Sequence, residues 1–260
     1  MANESNIENL KIFLEEKYLQ FNNPDFILND PIAVPHLFSE PEDIEIAGFL
    51  TAVISWGRRE MIAKAGNELM RRMDFKPAEF VMHGSDEEIA SLAGFVYRTF
   101  NALDAMIFVY SLRDVCNNYK TLENAFFEPF PTQENAMAIA ISRFKQRFFG
   151  MSDPDRSGKH LSDPLRNAAA KRINMFLRWM IRSDDRGVDF GIWKSIPPSC
   201  LVCPLDLHSA SVARKLGLLS RKQNDWKAAI ELTKNLRKLD PDDPVKYDFA
   251  LFGLGWYEKF

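Results

Sequence analysis

The segment from Ile44 to Trp56 is apolar on nearly every side of a helix. A helix with a single apolar face can lie at a surface, but one that is apolar all round has to be enclosed. The rest of the chain must therefore supply amphipathic elements to wrap it. At 260 residues it is long enough to do so, in one or two domains.

Helical spacing dominates the remainder. Ile7, Leu10, Phe13, Leu14, Tyr18 and Phe21 recur on one helical face behind a Ser5-x-x-Glu8 capping box. Ser39-Glu40-Pro41-Glu42 reads as the capping box that opens the central helix, 41–56, and Gly57 as its stop. Met61, Ile62, Ala65, Leu69 and Met73 mark the next helix, and Pro77 opens a short one to His83. Ser85-x-x-Glu88 caps another. Asn101 starts a longer one carrying Leu103, Ile107, Tyr110, Leu112 and Val115; Thr121 and Thr132 start two more, with Gly150 as a stop. No alternating strand, Asn-Gly hairpin or repeat stands out. The expectation is an all-α fold of roughly ten helices of ordinary length in two packed halves. The loop-like stretch from Gly150 to Arg166 separates residues 1–150, which hold the central helix, from residues 151–260; one compact unit is the alternative.

Composition narrows the setting. No apolar run reaches the roughly 18 residues needed to cross a bilayer, and the first residues show no basic, greasy and cleavable succession. No membrane association and a cytoplasmic location are expected. Three cysteines make neither a disulfide framework nor a four-cysteine iron–sulfur site, and Cys200-x-x-Cys203 alone is a weak metal signal. No metal or other cofactor is expected. Net charge is −3, yet seven basic residues between Arg156 and Arg182 face one acid, Asp163, a local balance of +6. That asymmetry points to an anionic partner.

In the second half, Asn167-Ala168-Ala169-Ala170 leads into a helix on which Lys171, Asn174, Arg178 and Arg182 form one stripe. A loop from Ser183 to Pro204 follows. Asp206 then stands where a helix should begin, with Gly217 at its end, and further helices surround Trp226 and run from about Pro244 to Phe252. Asp206 is at least an N-cap, held at the positive end of a helix dipole. Lys171 reads either as a solvated surface lysine or as an amine made nucleophilic by burial or neighbouring positive charge. A fixed carboxylate can stabilise cationic character at a sugar carbon, and arginines can hold phosphates. Together such groups suit attack on C1′ of a nucleotide.

AAAKRINMFLRWMIR, VDFGIW, PLDLHSASVARKLGLL and DPVKYDFALFGLG resemble a bacterial family of conserved proteins of unknown function, over almost the whole chain. The Asp206 segment is also distantly similar to the Pro-Val-Asp-x-His-Val-x-Arg-x-x-x-Arg-Leu-Gly segment of the helix-hairpin-helix DNA glycosylases, which include endonuclease III and the archaeal 8-oxoguanine glycosylases. That resemblance implies a helix-hairpin-helix glycosylase-like fold, with Asp206 as the catalytic carboxylate. Asn167 to Lys171 stands where that superfamily has Gly-x-Gly-x-Lys, which makes Lys171 the Schiff-base nucleophile. Two departures accompany the resemblance: alanine or asparagine replaces the hairpin glycines, and the gap from Lys171 to Asp206 is 206 − 171 = 35 residues.

The resulting expectation is a DNA base-excision glycosylase, extended by an AP-lyase step, acting on a flipped damaged purine such as 8-oxoguanine. Trp56 would stack on the base; Arg58, Lys159, His160, Arg166, Arg172 and Arg178 would grip the DNA backbone; His208 would line the site. Trp56 as core, and His160 and His208 as structural residues, are the competing readings. A non-catalytic DNA-binding module on the same scaffold and a helical protein-interaction domain are the alternative functions.

Overall fold

The computed structural model describes the backbone of residues 2–150 and 154–260 and the side chains of residues 6–150 and 156–260. Among the described residues there are fourteen α-helices: α1 (Ala2–Phe21), α2 (Pro24–Leu28), α3 (Pro41–Val53), α4 (Arg59–Arg72), α5 (Pro77–His83), α6 (Asp86–Ala90), α7 (Ala102–Tyr119), α8 (Leu122–Phe127), α9 (Ala136–Phe148), α10 (Pro154–Ser157), α11 (Lys171–Ile181), α12 (Leu207–Lys215), α13 (Trp226–Leu236) and α14 (Tyr247–Trp256). The fold is all-α in substance. The helix count exceeds the expected ten because short helices such as α2 and α10 fall in stretches that read as loops. Two strands of two residues each, β1 (Val96–Tyr97) and β2 (Phe100–Asn101), pair antiparallel with Val96 opposite Asn101 and Tyr97 opposite Phe100. They are too short for an alternating pattern to register in sequence. No helix among the described residues is long and apolar enough to cross a membrane.

Local chemistry sets most helix starts. In the Ser85 capping box, Glu88 N–H donates to Ser85 Oγ at 3.2 Å and Ser85 N–H donates to Glu88 Oε2 at 2.7 Å. Asn101 and Asp104 form the same reciprocal pair at α7, and Thr121 Oγ1 accepts from Asn124 N–H at 3.1 Å. Other expectations are corrected. Glu40, not Ser39, is the cap residue of α3 and makes no side-chain cap bond; Pro41 opens the helix through its fixed φ. The central helix ends at Val53, and Gly57, at φ 108°, follows a turn past it. α9 starts at Ala136 behind a left-handed Asn135, not at Thr132. α1 begins at Ala2, ahead of Ser5, whose side chain lies outside the described residues. Residues 151–153 of the expected Gly150–Arg166 loop also lie outside the description.

The chain forms two compact units: residues 27–163, and residues 1–26 with 164–260. In the first, α3 is buried from Ile44 to Val53 and packs on α4 and α5, while α7, α8 and α9 pack on one another. Its core is rich in phenylalanine: Phe49, Phe108, Phe126, Phe144 and Phe148 are all fully buried. On α7 the buried face runs through Ala105, Phe108, Leu112 and Val115, and the expected core residues Leu103 and Tyr110 are exposed. In the second unit α1 packs on α14, and α14 on α12. Leu14, Tyr18 and Phe21 are the buried stripe of α1. A Cβ on Gly253 would lie 2.1 Å from the Phe21 ring, so only glycine lets α1 and α14 approach this closely.

Candidate functional site

Six of the ten site residues chosen from sequence fall in the unit of residues 1–26 and 164–260. The turn leading into α11 is built from left-handed backbone: Asn167 has φ 62° and Ala170 φ 49°. Glycine adopts such angles freely, whereas an alanine pays about 1–2 kcal/mol. Other bonds over-determine the turn. Asn167 N–H donates to Pro164 O at 2.8 Å, Asn167 Nδ2 to Asp225 Oδ2 at 3.0 Å, and Asn174 Nδ2 to Ala169 O at 3.2 Å. Helix α11 consequently starts at Lys171 itself, and Ala168 and Ala169 stay outside it. Lys171 is half-buried, with Nζ 3.3 Å from Met175 Sδ, one turn along the helix.

Asp206 is the N-cap of α12, as its sequence context predicts. Its backbone is extended, and Oδ1 accepts from Ser209 N–H at 2.8 Å. The carboxylate is only half-buried. Leu207 and His208 follow it, both exposed, and the His208 ring stands edge-on to Trp256 at 5.2 Å. Arg166 is exposed in the 3-10 turn Pro164–Arg166. Arg172 is half-buried, and that burial pulls its guanidinium down to about 10.

Arg178 departs from the expected role. It is 4 % exposed, its Nε donates to Asp189 Oδ1 at 3.2 Å, its Nη1 donates to Asp248 Oδ2, and its guanidinium lies 4.2 Å from the Phe249 ring centre. Arg182, one turn on, is likewise buried and meets Asp184, Asp189, Asp243 and the Tyr18 hydroxyl. The stripe expected to present cations to DNA therefore turns inward after Lys171, because buried carboxylates require buried cations.

Those carboxylates are the residues sequence reasoning missed. Asp248 lies on α14, a helix otherwise buried along most of its length, and Asp189 in the loop after α11. A signal was available: a single acid inside an apolar helix, YDFALFGLG, needs a cation from elsewhere in the chain. Burial pushes the Asp248 carboxyl up; Arg178 and Lys171 pull it back and Asp206 pushes it further, leaving it at about 6. Lys171 and Asp206 thus share Asp248 as an electrostatic neighbour. The Cys203 thiol, also beside Asp248, Arg178 and Asp206, is pushed well up by burial, so it stays a neutral packing group. Among the described residues, no three His, Cys, Asp or Glu side chains gather as metal ligands would.

The other four chosen residues lie in the unit of residues 27–163. Trp56 is half-buried beyond α3; its carbonyl accepts from Tyr97 Oη–H at 2.7 Å and its ring stacks on His160 at 5.8 Å. His160 is buried, edge-on to Phe100 at 4.9 Å, with Nε2 3.6 Å from Asp104 Oδ1. It is a core histidine and does not reach outward to a phosphate. Arg58, ahead of α4, and Lys159 are exposed.

Residues 30–257 match the family model described as Protein of unknown function (DUF2400). The chain belongs to this family. The DUF2400 match takes in Lys171, Arg178, Asp206 and Asp248 and leaves out α1, whose Tyr18 meets Arg182. No curated protein and no solved structure matches the chain.

Proposed function

We propose that this DUF2400 chain is a DNA base-excision glycosylase with AP-lyase activity, acting on an extruded damaged purine such as 8-oxoguanine. The observation that carries the reading is the arrangement of Lys171 and Asp206. Each opens a helix, each is only half-buried, and both act on the same buried carboxyl, Asp248. The resemblance of the Asp206 segment to the helix-hairpin-helix glycosylases assigns the two groups their roles.

In this reading Asp206 stabilises the oxocarbenium-like sugar as the N-glycosidic bond breaks. The neutral Lys171 amine adds to C1′, the base departs with a proton, and the sugar ring opens to an imine on Nζ. Arg166 and Arg172, on either side of the Asn167–Ala170 turn, and the exposed Arg58 and Lys159 remain candidates for phosphate contacts. The burial of Arg178 and His160 removes both from that list.

Release of free base from duplexes carrying single damaged purines tests the proposal. Turnover by the wild type, with a loss of at least about 100-fold in Lys171→Ala and Asp206→Asn, is expected from the usual weight of nucleophilic and electrostatic groups. Salt-sensitive DNA binding that survives both substitutions, with no base released by any variant, would favour the non-catalytic DNA-binding module instead.

A further inference from the structure

A cavity of about 200 Å³ lies between α4 and the β1–β2 hairpin, wholly within the unit of residues 27–163. Met61, Lys64, Ala65, Glu68 and Arg72 recur every three or four residues and give α4 one face toward it. Phe95 and Tyr97, both buried, close it from the hairpin side. Tyr97 is fixed there by its hydrogen bond to the Trp56 carbonyl, at 2.7 Å. Gly94, on the same wall, stands at φ 84°, and a Cβ there would meet only Arg72 Nη2, at 4.0 Å. The glycine thus serves the turn and leaves room over the guanidinium.

Arg72 is held in one orientation. Its Nε donates to Glu68 Oε1 at 2.8 Å, and Nη1 donates to Ser91 O at 2.9 Å and Ala93 O at 2.8 Å. Among the described residues no acceptor engages Nη2, which lies over Gly94 on the cavity wall. Glu68 also lines the cavity, but Arg71 and Arg72 occupy both of its oxygens. With Lys64, which is exposed, the lining keeps one net positive charge.

We propose that this cavity binds a small organic carboxylate. Arg72 Nη2 and Lys64 hold the anion, and a body no larger than one ring lies against Met61, Ala65, Phe95 and Val96. The volume is below the roughly 300 Å³ at which drug-sized sites begin, so a single ring fills it. An inorganic anion would leave the apolar walls wet, and a neutral apolar molecule would strand the guanidinium N–H groups. A guanidinium fixed in advance loses little freedom on binding. Nothing in this site depends on the glycosylase reading.

The probe is 4-fluorobenzoate, titrated into the whole chain and followed by ¹⁹F NMR. Saturable binding is expected with a Kd on the order of 1 mM, as suits a ligand of about ten non-hydrogen atoms. 4-Fluorobenzamide has the same shape without the charge and should bind at least about fivefold more weakly. Equimolar acetate, which lacks the ring, should not displace the probe. Lys64→Gln should weaken binding about two- to fivefold. Val96→Glu, at a position 66 % exposed, sets a carboxylate against the ligand and should weaken it at least as much. Ala65→Leu should abolish binding by filling the cavity. If Ala65→Leu does not fold, Lys64→Gln and Val96→Glu, both at exposed positions, decide the matter. No saturable binding, equal binding of the amide, displacement by equimolar acetate, or binding unchanged in Lys64→Gln and Val96→Glu would overturn the proposal.

Discussion

In the unit of residues 27–163 the interior is held by aromatic rings. Phe126 lies flat on Phe144 at 3.7 Å, and Phe49 meets Phe108, Phe144 and Phe148 within 6.2 Å. In the other unit α11 carries two buried arginines into a group of aspartates. Ring packing is non-directional and indifferent to pH, and its loss costs in proportion to the cavity left. A buried ion network is directional, adds little net stability over an apolar equivalent, and is costly to break because one partner is left charged and unpaired. The charged interior of this unit therefore ties α11 to Asp189, Asp243 and Asp248 in one arrangement more than it adds net stability.

Substitutions in the two units test that contrast. The largest effects come from Arg178→Met and Phe144→Ala. Each should lower the unfolding free energy at pH 7 by about 3–5 kcal/mol in urea titrations, the first by stranding Asp248 while Asp189 keeps Arg182, the second by opening a cavity. They part company with pH: the Arg178→Met deficit should shrink as pH falls below 6 and the stranded Asp248 carboxyl protonates, while the Phe144→Ala deficit should stay constant. Equal pH responses would erase the distinction between the units.

A smaller effect isolates Asp248. Its folded-state carboxyl is raised, to about 6 against 3.8. The folded chain thus holds this proton more tightly than the unfolded chain. The corresponding stability is fully present below pH 3.8 and is lost as pH rises through 6. Wild type measured against Asp248→Asn should therefore gain about 1 kcal/mol on going from pH 7 to pH 5, since a tenfold difference in proton affinity is worth about 1.4 kcal/mol. A relative loss on acidification would mean that the carboxyl is held down, not up. Next come the helix caps, where the units should agree: Asp206→Ala and Ser85→Ala should each cost about 1 kcal/mol. At the bottom of the scale, Leu207→Ser removes a side chain 78 % exposed and should change stability by less than about 0.5 kcal/mol in the same titrations.

What could be read from sequence was what depends on near neighbours. Ser85, Asn101, Thr121 and Asp206 each satisfy an N–H two or three residues ahead, so residue type and spacing sufficed. The enclosed central helix was legible because an all-apolar surface has a single outcome. Asp206 could be nominated for its placement at a helix start, and Lys171 only through the resemblance of its segment; that α11 begins at Lys171 itself was not legible. The fates of Arg178 and His160 could not be read locally. Arg178 finds Asp248 70 residues away, and His160 sits against Asp104 in a pocket of aromatic rings. A basic stripe at helical spacing looks the same whether it meets water or a second helix bearing an acid; only the tertiary arrangement separates the two. The same limit explains Leu103 and Tyr110, since α7 has apolar residues on more than one face and packing chose between them.

The catalytic claim stands most directly on one chemical trap. Duplexes carrying a panel of damaged bases are incubated with the protein and borohydride, and the product is mapped by mass spectrometry. A covalent protein–DNA adduct at Lys171, absent in Lys171→Ala and reduced in Asp206→Asn, is the result this account predicts. No adduct with any duplex, or an adduct that persists in Lys171→Ala, would contradict it.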